Sequence, residues 1–129
     1  MNDGLRVPGS HDGMATFAGD DGRIILVCNH ELASGDLEIS AYGPDADNVP
    51  DFVRDKLYDK GFGKSPSAGG TTTTIYNPAS GLTERQHLSL AGTELNCAGG
   101  ATPWRSWLSC EECFRNPDLF FGRKRERAH

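Results

Sequence analysis

Residues 14–31 read MATFAGDDGRIILVCNHE, and the reading of this stretch decides the fold. Met14 to Ala18 is a brief strand candidate. Gly19-Asp20-Asp21-Gly22 reads as a tight turn, because glycine and aspartate tolerate the backbone that such turns need. Arg23 to Cys28 (RIILVC) is a near-continuous apolar run, which predicts a strand buried on both faces. The two strands and their turn predict a hairpin. The polar run Asn29-His30-Glu31 then emerges at a strand end, where metal-capable side chains stand on fixed backbone.

The same grammar extends along the chain. Thr71 to Tyr76 is rich in β-branched residues and predicts a strand. Asn77-Pro78-Ala79-Ser80-Gly81 is a strong turn signal. Arg85 to Leu90 reads as the return strand, with Gln86, Leu88 and Leu90 alternating against Arg85, His87 and Ser89. Residues 43–51 and 61–70 read as loops. Between them, residues 51–60 predict one short helix, with Phe52, Val53 and Leu57 on one side and Gly61 as its stop. Residues 91–103 read as a Gly-rich loop around Asn96-Cys97-Ala98-Gly99-Gly100. Trp104 to Cys110 predicts a last strand, with Glu111-Glu112 at its end. The expected class is all-β: hairpins joined by long Gly-rich loops, as in a sandwich or part of a β-propeller. A chain of 129 residues is too short to close a propeller of four or more blades.

Composition narrows the function. The net charge is −5, hydrophobic residues make up 36%, and glycine accounts for 16 positions, so loops and turns should be abundant in one domain. No apolar run approaches the ~20 residues of a membrane helix. Met1 to Ser10 is polar and turn-like, without a signal-peptide pattern. Residues 1–114 carry 8 Lys and Arg against 16 Asp and Glu, whereas residues 115–129 carry 5 against 2. An acidic body is a poor nucleic-acid binder, and its carboxylates suit hard cations such as calcium. The basic run Arg123, Lys124, Arg125 and Arg127 reads as a solvated tail. The expected division is 1–113 as the domain and 114–129 as a divergent basic tail.

Three polar clusters carry the candidate chemistry: Asn29-His30-Glu31, Asn96-Cys97 and Glu111-Glu112. Carboxylates suit hard cations, and a thiolate suits iron or zinc. Gly99 and Gly100 allow the backbone to approach a ligand closely. On a strand Glu111 and Glu112 point to opposite faces, so one of the two would face a given site. Each group also has a plainer reading. Cys97 can be a small buried thiol, His30 can hydrogen-bond a carbonyl, and each glutamate can be a surface carboxylate. His11 and His87 read as structural. Four cysteines (Cys28, Cys97, Cys110, Cys113) allow three full pairings, and nothing in the spacing chooses among them. Cys110 and Cys113 form half of a common zinc site, with no second half in the chain. No Gly-x-Ser-x-Gly stands here, and Gly69-Gly70 followed by four threonines lacks the Lys-Ser/Thr of a phosphate loop.

An ordered series of motifs carries a family resemblance. It runs through Asp3-Gly4-Leu5, Val7-Pro8-Gly9, His11-Asp12-Gly13-Met14-Ala15, Ile25-Leu26-Val27 with Asn29-His30-Glu31-Leu32, and Lys56-Leu57-Tyr58-Asp59. It continues through Gly69-Gly70-Thr71-Thr72-Thr73, Leu88-Ser89-Leu90-Ala91-Gly92-Thr93 and Asn96-Cys97-Ala98-Gly99-Gly100. Thr102-Pro103-Trp104, Ser106-Trp107-Leu108 and Cys110-Glu111-Glu112 close it. In this order the series resembles the PhoX-type alkaline phosphatases, a bacterial family with calcium and iron cofactors. The resemblance implies a β-propeller-like all-β enzyme that hydrolyses phosphate monoesters with ferric iron and calcium at its centre. It implies that Cys97 is similar to the family's iron-bridging cysteine. It implies Glu31, Glu111 and Glu112 as metal residues, with Asn29, His30 and Asn96 near the site. Export folded by the twin-arginine route is also implied. Family members are several times longer than this chain, and the match stops after Glu112. The expectation is therefore a fragment of such a phosphatase, inactive by itself, with the remainder of a longer chain missing. The alternative is a non-catalytic calcium-binding or propeller-type interaction module.

Overall fold

The computed structural model describes residues 1–44, 49–60 and 66–113. The basic run after residue 113 and the expected stop at Gly61 lie outside the described residues. The described residues are all-β apart from short helical turns, with six antiparallel strands in two sheets.

The first sheet has strand order β1-β2-β3-β4, built from β1 (His11–Ala18), β2 (Ile24–His30), β3 (Gly69–Asn77) and β4 (Leu82–Thr93). β1 and β2 form the expected hairpin, with Ala15 opposite Val27 and Phe17 opposite Ile25. The turn works because Asp21 and Gly22 both take positive φ, at 51° and 74°. β3 and β4 form the second hairpin. Asn77 closes its turn: its side-chain oxygen accepts from the Ala79 amide at 3.0 Å, and Gly81 follows with φ 71°. The second sheet is a single hairpin of β5 (Asn96–Ala101) and β6 (Trp107–Glu111).

The core lies against β4. Leu88 and Ala91 pack with Leu5, Ala41, Val49, Val53 and Leu57, and Met1 and Tyr42 close over them. The open edge of β4 is covered by other segments. Asn2 donates its amide to the Gln86 carbonyl at 2.9 Å, and Asp3 Oδ2 accepts from the Leu88 amide at 2.7 Å. Further along, Tyr58 and Lys56 exchange backbone bonds with Ala91 at 2.8 and 3.0 Å. A covered edge does not recruit a foreign strand.

Four sequence expectations need correction. The apolar run of β2 is not buried on both faces: Ile24 to Val27 are half-buried, while Cys28, Asn29 and His30 are the buried end. The cover over β2 comes from the β5–β6 hairpin at Asn29 and from the N-terminal segment at His30, both at its polar end. Residues 91–103 are not a loop, because β4 runs on to Thr93 and β5 starts at Asn96. The last strand starts at Trp107 rather than Trp104. The helix is the single turn α1 (Asp51–Arg54), with Val53 buried and Phe52 46% exposed, so Phe52 does not share the core face.

Candidate metal centre

Two of the residues picked from sequence converge with a third that sequence reading passed over. Glu31, Cys97 and Asp12 present ligand atoms that all lie within 4.8 Å of one another, each side chain half-buried. They come from three places in the fold. Asp12 stands on β1 where the register with β2 slips between His11 and Met14. A bulge of this kind re-aims a side chain. Glu31 follows the last residue of β2, and Cys97 is the second residue of β5. Gly13 makes the meeting possible. A Cβ there would lie 2.7 Å from the Cys97 carbonyl oxygen. Glycine inside a strand marks such close backbone approach. That Gly13 was the available sequence signal for Asp12.

Asn29 holds β5 in place. Its Nδ2 donates to the carbonyls of Cys97 at 2.9 Å and Ala98 at 3.0 Å. Its Oδ1 accepts from Trp107 Nε1 and from Ser109 Oγ, both at 2.9 Å. The buried amide thus uses both ends to tie β2 to both strands of the second sheet. Asn96 is a second clamp: Nδ2 donates to the Gly70 carbonyl at 2.6 Å and Oδ1 accepts from Thr93 Oγ1 at 3.0 Å. His30 is fully buried, with Nδ1 at 2.8 Å from the Gly9 carbonyl and Nε2 at 2.9 Å from Thr72 Oγ1. These three residues position the site.

The two glutamates at the end of β6 diverge. Glu111 Oε1 accepts from the Glu94 amide at 2.7 Å. Glu112 is exposed, and its charge reaches both Glu31 and Cys97. Glu94, which sequence reading did not select, is fully buried and accepts from Ser34 Oγ at 3.0 Å. Cys113 Sγ donates to Glu94 Oε2 at 3.4 Å, and all four cysteines are free thiols. Gly99 serves packing: a Cβ there would lie 2.2 Å from the Leu108 carbonyl and 2.4 Å from the Trp107 ring. Gly100 faces open space. A cavity of about 650 Å³ includes Glu111, Trp107 and Thr73 in its walls. The three converging ligands are not among its walls.

The electrostatics of the cluster are one-sided. The Glu31 carboxyl is pushed above its ordinary range, first by a hydrogen bond with Asp12, then by desolvation and by the charges of Asp12 and Glu112. The Cys97 thiol is pushed up by desolvation first, then by Asp12, Glu31 and Glu112. Every charged group acting on these two is acidic. Carboxyl groups in contact must share a proton or a cation. One thiolate and two carboxylates are a fitting donor set for a transition-metal cation.

A family model described as Alkaline phosphatase PhoX matches residues 1–129, so the family likeness does not stop after Glu112, where the series of motifs ends. The chain belongs to the PhoX family. PhoX proteins are metal-dependent alkaline phosphatases. No curated protein and no solved structure matches the chain.

Proposed function

We propose that this PhoX chain carries part of the metal centre of an enzyme that hydrolyses phosphate monoesters. Cys97, Glu31 and Asp12 are its ligands, with Glu112 an acidic neighbour and Glu111 a support at the end of β6. The observation that carries the reading is the convergence of three ligand atoms within 4.8 Å in a wholly acidic environment. A thiolate selects iron over calcium, and oxygen donors suit calcium. We therefore assign ferric iron to the Cys97 side and calcium to further carboxylates. Such ions neutralise phosphoryl oxygens and activate an oxygen nucleophile.

The chain's own residues have separable tasks. Asp12 and Glu31 share a hydrogen bond, and a cation held between them would take the place of its proton. Cys97 would serve as a thiolate there, because a bound metal holds a thiol deprotonated. Asn29 fixes the carbonyls of Cys97 and Ala98, so the thiol stays aimed at the two carboxyls. The charged groups that shift Glu31 and Cys97 are the acidic Asp12, Glu31 and Glu112, and a carboxylate does not hold a phosphate. The isolated chain is therefore expected to bind metal without turning over substrate. The two sheets form part of a propeller-like arrangement, with 1–113 as the phosphatase portion and 114–129 as a basic tail. A calcium-only interaction module fits less well, since calcium does not use a thiol.

The test is a chromogenic phosphate ester incubated with the chain, ferric iron and calcium. Turnover at the metal-only background is expected. Robust metal-dependent turnover would overturn the inactivity, and iron binding unchanged by Cys97→Ala would overturn the ligand assignment.

A further inference from the structure

A second group of ligands lies apart from the first. His11, Cys28 and His30 present ligand atoms within 4.8 Å of one another. His11 and His30 are directly opposite in the β1–β2 register, and Cys28 is two residues before His30 on the same strand. Alternation along a strand puts residues 28 and 30 on one face. Asn29, between them, reaches the other way to Cys97. Cys28 and His30 are buried, while His11 is exposed. The group therefore has two buried members and one at the solvent side.

The hydrogen bonds of His30 match those of a ligating histidine. Its Nδ1 faces the Gly9 carbonyl at 2.8 Å, and a carbonyl only accepts, so Nδ1 carries the proton. Nε2 therefore keeps its lone pair, which the Thr72 hydroxyl faces at 2.9 Å. Thr72 is the register partner of Cys28, so this lone pair lies on the Cys28 side of the sheet. Metal-binding histidines commonly donate their second ring nitrogen to a backbone carbonyl in this manner. The His11 ring stands edge-on to His30 with centroids 4.8 Å apart, close enough for both to reach one ion. An ion held by this lone pair would take the place of the buried Thr72 hydroxyl.

We propose that His11, Cys28 and His30 form a second metal site, which takes one divalent borderline-soft cation such as zinc. Two imidazoles and a thiolate with an open fourth position suit zinc and cobalt, and do not suit calcium. The site is separate from the Cys97 cluster in its ligands, although Asp12, next to His11, belongs to that cluster.

The test is cobalt titration of the full chain in a Cys97→Ser, Cys110→Ser, Cys113→Ser background, where Cys28 is the remaining thiol. A thiolate-to-cobalt absorption band that zinc displaces is expected. His11→Ala, at an exposed position that leaves the buried packing alone, should weaken cobalt binding at least about tenfold. Cys28→Ser should remove the band. Absence of the band in the triple background, with the fold intact by circular dichroism, would overturn the site. So would a band that His11→Ala leaves unchanged.

Discussion

Single residues decide whether the acidic cluster exists and what it does with protons. Glu31 is raised in the folded chain, chiefly through Asp12, so its contribution to stability has a definite sign. That contribution is present below the ordinary glutamate range and is lost as pH rises through the raised folded value. The metal-free chain should therefore lose stability between mildly acidic and neutral pH, and Glu31→Gln should flatten that slope in a thermal-melt series. Metal reverses the trend, because protons compete for Glu31 and Cys97, so metal affinity should fall as pH falls. Asn29 is the other decisive residue. Asn29→Ala removes four hydrogen bonds and leaves the Trp107 N–H and the Cys97 carbonyl short of partners. A destabilisation of about 2–3 kcal/mol in urea is expected, with weaker metal binding alongside.

Elements bring those residues together, and the hairpins were the most legible part. The turns at 19–22 and 77–81 announce themselves by Asp, Asn and Gly at positions that need them. β5 was not legible, because Asn-Cys-Ala-Gly-Gly-Ala has no β-branched residue. Its strand exists because Gly99 admits the Leu108 carbonyl and the Trp107 ring, a fact about the partner strand. The burial of β2 was misread for a similar reason. Periodicity reports the strand itself, whereas burial depends on what packs over it. Cys97 and Glu31 were legible by residue type and motif. Asp12 was not, because its side chain is aimed by the bulge beside Gly13. This gives a test at the level of the element. Gly13→Ala places a methyl 2.7 Å from the Cys97 carbonyl and must part β1 from β5. It should cost about 1–3 kcal/mol and weaken metal binding more than an alanine at the open Gly100 would.

At the scale of the whole molecule, the described residues form two sheets that meet where Asn29, Leu32 and the acidic cluster approach β5 and the residue before it. The Leu95 amide donates to the Leu32 carbonyl at 3.0 Å, and the Glu112 amide to the Leu95 carbonyl at 2.8 Å. Asp12 stands on the first sheet, Glu31 directly follows its β2 and Cys97 is on the second sheet, so a bound cation would span the seam. Away from it, large apolar side chains stand exposed, including Leu108 at 61% and Trp104 at 75%. Exposed apolar surface drives association. The purified chain should show concentration-dependent light scattering, which Leu108→Ser together with Trp104→Ser should reduce. Because a ligand of the folded state alone stabilises by mass action, metal at about 100 times its dissociation constant should add about 2.7 kcal/mol. The central claim is that Cys97 is a metal ligand, and titration with ferric iron followed by visible absorption tests it most directly. The account predicts a thiolate-to-iron charge-transfer band that survives Cys28→Ser and disappears in Cys97→Ser. A band of undiminished strength in Cys97→Ser would contradict it.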